Sequence, residues 1–237
     1  MSSLESALHI LDLLGPDRPV LRVSEVCRAL GMAKSTVSRL LRTLADSKLL
    51  DRAEDGSYRA GPRAVQLAAL YRARHGIREA VIETLDGLVA RFGFTGFVSV
   101  LSGSSIVLLH VRQGSHPLRY VREEGTHLPA WQTAMGHVLL ARLPDALVAD
   151  RLQDAGPIDL AQLRRALAAV RRRGFILAGS VLTRGVTTIA AAVTEADLAQ
   201  PIALALAYAD TAADARSREE MTAAILDAVR RLEGGSP

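Results

Sequence analysis

Residues 31–50 of this 237-residue chain read GMAKSTVSRLLRTLADSKLL, and they constrain the fold more tightly than any other stretch. With Val37 set inward and about 100° advanced per residue, Leu40, Leu41 and Leu44 fall within about 60° of it. Ser35, Ser38, Arg39 and Arg42 occupy the opposite side. A helix from about Ser35 to Ser47 is predicted, leucine behind and hydroxyls with cations in front. The leucine stripe needs other elements to cover it, and the flanking sequence supplies them. Upstream, Leu4, Leu8, Leu11 and Leu14 predict an opening helix ended by GPDRP. Ser24 is a good N-cap for a second helix whose inner face is Val26 and Leu30 and whose stop is Gly31. Downstream, LLDRAEDGSYRAG predicts a hairpin turning at Asp55-Gly56. Two short helices joined by a tight turn and followed by a hairpin make a winged helix-turn-helix.

Charge singles out the same region. The net charge of +4 resides wholly in residues 1–75, with 12 Lys+Arg against 8 Asp+Glu, whereas residues 76–237 hold 17 of each. Both lysines of the chain, Lys34 and Lys48, flank the third helix. A cationic segment on an otherwise balanced protein suits a polyanion. Arginine can bond guanine bidentately, Ser and Thr can meet base edges or phosphates, and a helix start offers free N–H groups to an anion. The residues expected at double-stranded DNA are Lys34, Ser35, Thr36, Ser38, Arg39 and Arg42, with Arg59 on the wing. Lys48 reads as a cap for the helix end. Cys27, the single cysteine, sits inside the second helix, where a small side chain lets helices cross; it excludes an internal disulfide framework and fits a reducing cytoplasm.

A helix predicted over 62–74 connects to a second, larger region, giving a division into 1–61, a linker at 62–75, and 76–237. Val81, Leu85, Leu88 and Phe92 mark a helix; FVSVL and IVLLHV are strands either side of SGSS; LRYV is read as a third. Helices are expected around 132–142 and 159–173, then strands FILA, VTTIAAAV and IALALAY, and a final helix using Ala224, Ile225, Val229 and Leu232. Strands in hairpin succession mixed with helices predict an antiparallel sheet with flanking helices, an α+β fold. The GGSP tail reads as disordered. No run of 18 apolar residues occurs, so no spanning helix is expected, and the opening residues read as an amphipathic helix, not a signal peptide.

The whole resembles the IclR-type transcriptional regulators. The resemblance rests on ESALHILDLL, VSEVCRALGMAKSTVSRLLRTL and DGSYRAGPR in the first third, and independently on HLPAWQTAMGHVLLARL and RRRGFILAGSVLTRGVTTIAAAV in the remainder. It implies an N-terminal winged helix-turn-helix domain, a linker helix, and a C-terminal GAF-like α/β effector-binding domain. It also implies a homodimer or dimer of dimers whose hold on an operator is altered by a small-molecule effector. The resemblance puts the effector between the QTAMG turn and the GFILAG and GVTTIA strands, with Thr133, Ala134 and Met135 offering backbone N–H groups to a carboxylate. Ala178, Val186 and Thr188 match further pocket positions, and Leu118, Tyr120 and Trp131 would line the wall. Ala178 to Val181 stand where members commonly carry acids, which favours an apolar or aromatic acid over a small hydroxylated one.

Other chemistry finds little footing. His110, His116, His127 and His137 lack cysteine partners and metal-binding spacing. SGSS is a turn, not a nucleophile elbow, and no phosphate-binding loop is present. No catalytic residue and no cofactor are therefore expected. The RRRG stretch at 171–174 reads as a helix end whose cations suit the dipole. An enzyme domain fused to a DNA-targeting module, and an architectural DNA binder without an effector, are the alternatives.

Overall fold

The computed structural model describes residues 2–15, 18–73, 77–117, 122–194 and 200–234. The expected third strand LRYV, together with Leu118 and Tyr120, and most of the GGSP tail lie outside the described residues. The chain divides into two compact units, 1–76 and 77–237.

The first unit holds α1 (Ser3–Asp12), β1 (Val20–Leu21), α2 (Val23–Leu30), α3 (Lys34–Asp46), β2 (Leu50–Arg52), β3 (Tyr58–Ala60) and α4 (Pro62–Ala73). Val37, Leu40, Leu41 and Leu44 are buried, and with Ile10, Leu21, Val26, Leu50 and Tyr58 they form its core. Each such side chain contributes about 1.5–3 kcal/mol on burial, which fixes the rotation of α3. Gly31 closes α2 in the left-handed region at φ +64°, allowing the chain to reverse into α3. The hairpin is the β2–β3 pair, and the two-residue β1, which the sequence patterning did not suggest, adds to its other edge in the order β1-β3-β2.

Two local expectations are corrected. Leu4 and Leu8 are 70% and 51% exposed, whereas Ser6 and Ile10 are buried. The inward face of α1 therefore lies between its leucines, and a second apolar face is left outward. Ser24 is not the N-cap of α2: the extended residue is Arg22, whose N–H is accepted by the Glu25 carboxylate at 3.3 Å.

The end of α3 is a Schellman cap. Leu49 N–H donates to Leu44 O at 3.1 Å and Lys48 N–H to Ala45 O at 2.9 Å. Lys48 holds φ +62°, the one positive φ of a non-glycine among the described residues, so it caps through its backbone. The start of α4 is bonded onto this cap: Gly61 N–H donates to Leu49 O at 2.8 Å, Arg63 N–H to Lys48 O at 3.0 Å, and Arg63 Nη1 to Ser47 O at 3.1 Å. Along α4, Val65, Leu67 and Leu70 are all more than half exposed.

The second unit is one antiparallel sheet between two helical layers. Its elements are α5 (Ile77–Phe92), β4 (Thr95–Ser102), β5 (Ser105–Arg112), β6 (His127–Pro129), a 3-10 turn (Ala130–Gln132), α6 (Ala134–Leu140), α7 (Asp145–Arg151), α8 (Leu160–Arg173), β7 (Phe175–Gly179), β8 (Val186–Val193), β9 (Ile202–Ala209) and α9 (Ala215–Glu233). The order is β6-β5-β4-β9-β8-β7. Side chains alternate strictly along the central strands. Ala190, Ala192, Ala203 and Ala205 face α6 and α8, whereas Ile189, Ala191, Leu204 and Leu206 face α5 and α9. The alanines keep the first face low, so a helix can approach the sheet closely. β6 and α7 are additions to the sequence-level expectation.

A bulge interrupts the β4–β5 pairing: Val98 lies opposite His110 but Ser99 opposite Leu108. The extra residue turns His110 toward α5. There its ring meets Asp86 at 3.3 Å and Glu124 at 3.0 Å, so both nitrogens are engaged by carboxylates. Arg171, expected to serve its own helix end, instead reaches α6: it donates to Ala141 O and Leu143 O at 2.8 Å each and pairs with Asp145 at 2.8 Å. No helix among the described residues is long and apolar enough to cross a membrane.

Candidate nucleic-acid interface and small-molecule cavity

With its leucines inward, α3 presents Lys34, Ser35, Arg39 and Arg42 fully to solvent, and Thr36 and Ser38 half-buried beside them. Among the described residues none of the cationic groups of Lys34, Arg39, Arg42 and Arg59 has a hydrogen-bond or ion-pair partner, leaving their donors available. The N-cap, Ala33, makes no side-chain capping bond. The first amides of α3 therefore also lack the satisfaction a Ser or Asp would give them. The wing tip is braced by Asp55, which accepts from Ser57 N at 3.0 Å and Ser57 Oγ at 2.6 Å and pairs with Arg22 at 3.1 Å. These Ser57 bonds, and then Arg22, hold the Asp55 carboxyl below its ordinary range. Sequence reading missed this brace, although Asp55 two residues before Ser57 is the ordinary spacing of an Asx turn. Arg59, on β3 of the wing, is exposed.

In the second unit a small cavity of about 30 Å³, partly open to solvent, lies on the alanine-rich face of the sheet. Thr133, Ala134, Met135, Ala178 and Thr188 all line it. Trp131 and Val186 do not. Trp131 belongs to the 3-10 turn and packs partly buried against the layer between sheet and α6/α8, and Val186 is buried within that layer. Val186 pairs with Ala209 whereas Thr188 pairs with Ala207, a wall residue, so Val186 lies two pairs further along the strand. Sequence reading missed Phe97, Leu128, Gln132, Gly179, Ser180, Leu182 and Ala207 in the lining. The alternation of β4 and β9 could have flagged Phe97 and Ala207; Leu182 lies in a loop that carries no periodic signal.

The wall at α6 is built by close packing. Thr133 caps the helix, its Oγ1 accepting Gly136 N–H at 3.0 Å. The amides of Ala134 and Met135 precede the first intrahelical bonds. Gly136 sits where a Cβ would fall 2.0 Å from Ala130 O, so the 3-10 turn and α6 touch backbone to backbone. His137 follows, its Nε2 bonding to Trp131 O at 2.8 Å while Nδ1 is buried without a partner among the described residues. No charged side chain among the described residues lines the cavity.

Burial pushes the His137 pKa below its ordinary value of 6.5, partly offset by the Trp131 carbonyl. A base with a depressed folded pKa binds fewer protons folded than unfolded. Its stabilising contribution is therefore full above about pH 6.5 and is lost as pH falls through the folded value. Denaturant midpoints should fall on acidification through this window, and His137→Gln should flatten that part of the profile. An unchanged profile in the variant would refute the assignment.

The family description "Bacterial transcriptional regulator IclR C-terminal" matches residues 69–233, and "IclR helix-turn-helix domain" matches residues 3–54. The chain belongs to the IclR family. It therefore groups with transcriptional regulators that carry a helix-turn-helix DNA-binding domain. It is similar to the HTH-type transcriptional regulator XynR of Escherichia coli, with 29% identity covering 98% of this chain and 97% of the relative. It is also similar to BhcR of Paracoccus denitrificans, with 28% identity over 98% and 86% of the two chains. Among solved structures, an IclR transcriptional regulator from Silicibacter superposes with a TM-score of 0.85 at 27% identity, covering 100% and 98% of the two chains. An IclR homologue from Microbacterium hydrocarbonoxydans, complexed with 4-hydroxybenzoate, superposes at 0.82 with 20% identity over 98% of each chain, a likeness of fold.

Proposed function

We infer that this IclR-family chain binds a double-stranded operator through α3 and the wing, and that a small-molecule effector in the cavity of the second unit alters that binding. The observation carrying the first part is the solvent face of α3: guanidiniums and an ammonium without partners among the described residues, beside short hydroxyls, on a helix whose start lacks a side-chain cap. Arg39 and Arg42 would read base edges, Ser35, Thr36 and Ser38 base edges or backbone, and Lys34 and Arg59 phosphates. One such helix makes few base contacts, so paired half-sites and a homo-oligomer, a dimer or dimer of dimers, follow. The outward leucines of α1 and the exposed apolar residues of α4 offer surface for such self-association. Its place is the cytoplasm, where the duplex is.

For the effector, the cavity combines apolar walls from Phe97, Leu128, Met135 and Leu182 with the polar groups of Gln132, Thr133, Ser180 and Thr188. The amides of Ala134 and Met135 would take a carboxylate, and the uncharged remainder suits an apolar or aromatic body, for which the walls would have to part beyond the small cavity present. The 4-hydroxybenzoate in the Microbacterium homologue belongs to the same chemical class. Coupling requires the effector to favour one arrangement of the DNA-binding units over another. The linker α4 is a physical conduit toward α3, because its first turn is hydrogen-bonded to the residues that end α3.

The test is a panel of carboxylic acids scored by thermal shift and by affinity for duplexes selected from a random pool. Aromatic monoacids should raise the melting temperature and change operator affinity together. Response to small hydroxylated acids alone would overturn the effector class, and sequence-independent binding unaffected by any acid would point to an architectural protein.

A further inference from the structure

Helix α8 carries five arginines and no acid in fourteen residues, LAQLRRALAAVRRR, within a unit whose charges otherwise balance in favour of acids. Arg171 is absorbed by α6 and Asp145, as described. Arg164, Arg165, Arg172 and Arg173 are exposed and form no ion pair or hydrogen bond with the described residues. Two reasons that usually explain such a run fall short. The helix dipole favours cations in the last turn, which accounts for Arg172 and Arg173, but Arg164 and Arg165 stand beyond the first turn, where the dipole offers them nothing. Packing does not need them either, because α8 anchors through Leu163, Leu167 and Val170 on its other side. Like charges on one face repel weakly, pair by pair, and a bound polyanion turns that cost into a gain.

We propose that the outer face of α8 is a second, sequence-independent contact for the phosphate backbone of the duplex that α3 reads. Arg164 and Arg172 are eight residues apart, about 12 Å along a helix, comparable to the roughly 12 Å width of the major groove, so their guanidiniums can meet phosphates on both of its walls. Guanidinium binds phosphate bidentately, and Ala168 between the arginines leaves the helix surface low enough for close approach. Duplex DNA is the favoured polyanion because the same chain carries a DNA-binding domain: once that domain is bound, α8 is tethered near the duplex, and weak intrinsic affinity suffices at the resulting effective concentration. The inference rests on the DNA-reading role of α3 but assigns a different surface and a different kind of contact.

The experiment uses the full chain with all four arginines changed to glutamine, and a parallel variant with all four changed to lysine. Affinity for a duplex selected by the wild type is measured against salt concentration, with footprinting of the flanking backbone. In the glutamine variant the salt slope should fall by about 0.9 for each phosphate that is no longer neutralised, and flanking protection should vanish while base preference stays unchanged. The lysine variant should keep the slope. An equal slope in wild type and glutamine variant overturns the proposal, as does an equal fall in the lysine and glutamine variants. Wild-type binding to poly-glutamate as tight as to non-specific duplex at matched salt would assign the face to an acidic protein instead. Arg39→Ala is the control that separates the two readings: it should relax base preference at the pairs Arg39 meets while retaining the α8-dependent part of the slope.

Discussion

Replacing Arg39 by alanine should lower affinity for the selected operator by about 1–3 kcal/mol, roughly 5- to 150-fold, and relax preference at the base pairs it meets. Arg39 lies opposite the Val37–Leu44 stripe, is exposed, and has no partner among the described residues for its guanidinium. Truncation therefore leaves the internal packing untouched, and the thermal stability of the first unit should stay within experimental error. This separation of stability from affinity is the sharp part of the expectation. Electrophoretic mobility shifts on specific and scrambled duplexes check it. Equal weakening on both duplexes would make Arg39 a phosphate ligand and shift base reading to Arg42 and the hydroxyls.

A second large effect is expected from the opposite kind of position. Gly136→Ala would place a methyl group 2.0 Å from Ala130 O and 2.5 Å from Ala130 C, distances that no side-chain adjustment can relieve, since both belong to backbone. Either the 3-10 turn or α6 must move. Overpacking of this kind reaches about 3 kcal/mol, and the wall carrying Thr133 to Met135 would shift with it. Denaturant unfolding should show a lowered midpoint, with Trp131, the only tryptophan, reporting the local change by fluorescence. Effector response should disappear even under conditions where the variant remains folded. A variant of wild-type stability would refute the close approach of these two segments.

The difference between these positions parallels what is legible in the sequence. The orientation of α3 is legible because its apolar and polar residues follow one helical period, and a single period fixes a face. The strands VTTIAAAV and IALALAY are legible as elements, since uninterrupted apolar runs bounded by turns suit a doubly covered sheet. Helix α1 misleads in detail because it is apolar on two sides, and Leu4 and Leu8 form a regular stripe that the fold does not bury. The direction of His110 is not legible, for a bulge adds one residue to β5 and reverses the alternation without any marking in composition. The cavity is half legible: its α6 wall and two neighbouring strands carry recognisable motifs, but Phe97 and Ala207 come from β4 and β9, elements that meet the others only in the folded sheet. Trp131 stands out by size alone, and size does not specify which side of a turn an indole takes.

The strict alternation of the central strands has a consequence for how the cavity can diversify. On β8 and β9, Thr188 and Ala207 look into the cavity, whereas their immediate neighbours Ile189, Leu206 and Tyr208 anchor α5 and α9. Adjacent codons thus serve separate tasks, so substitutions can accumulate on the cavity side of a strand while the opposite side preserves the scaffold. A chain built this way can reshape its cavity one residue at a time without surrendering the architecture around it.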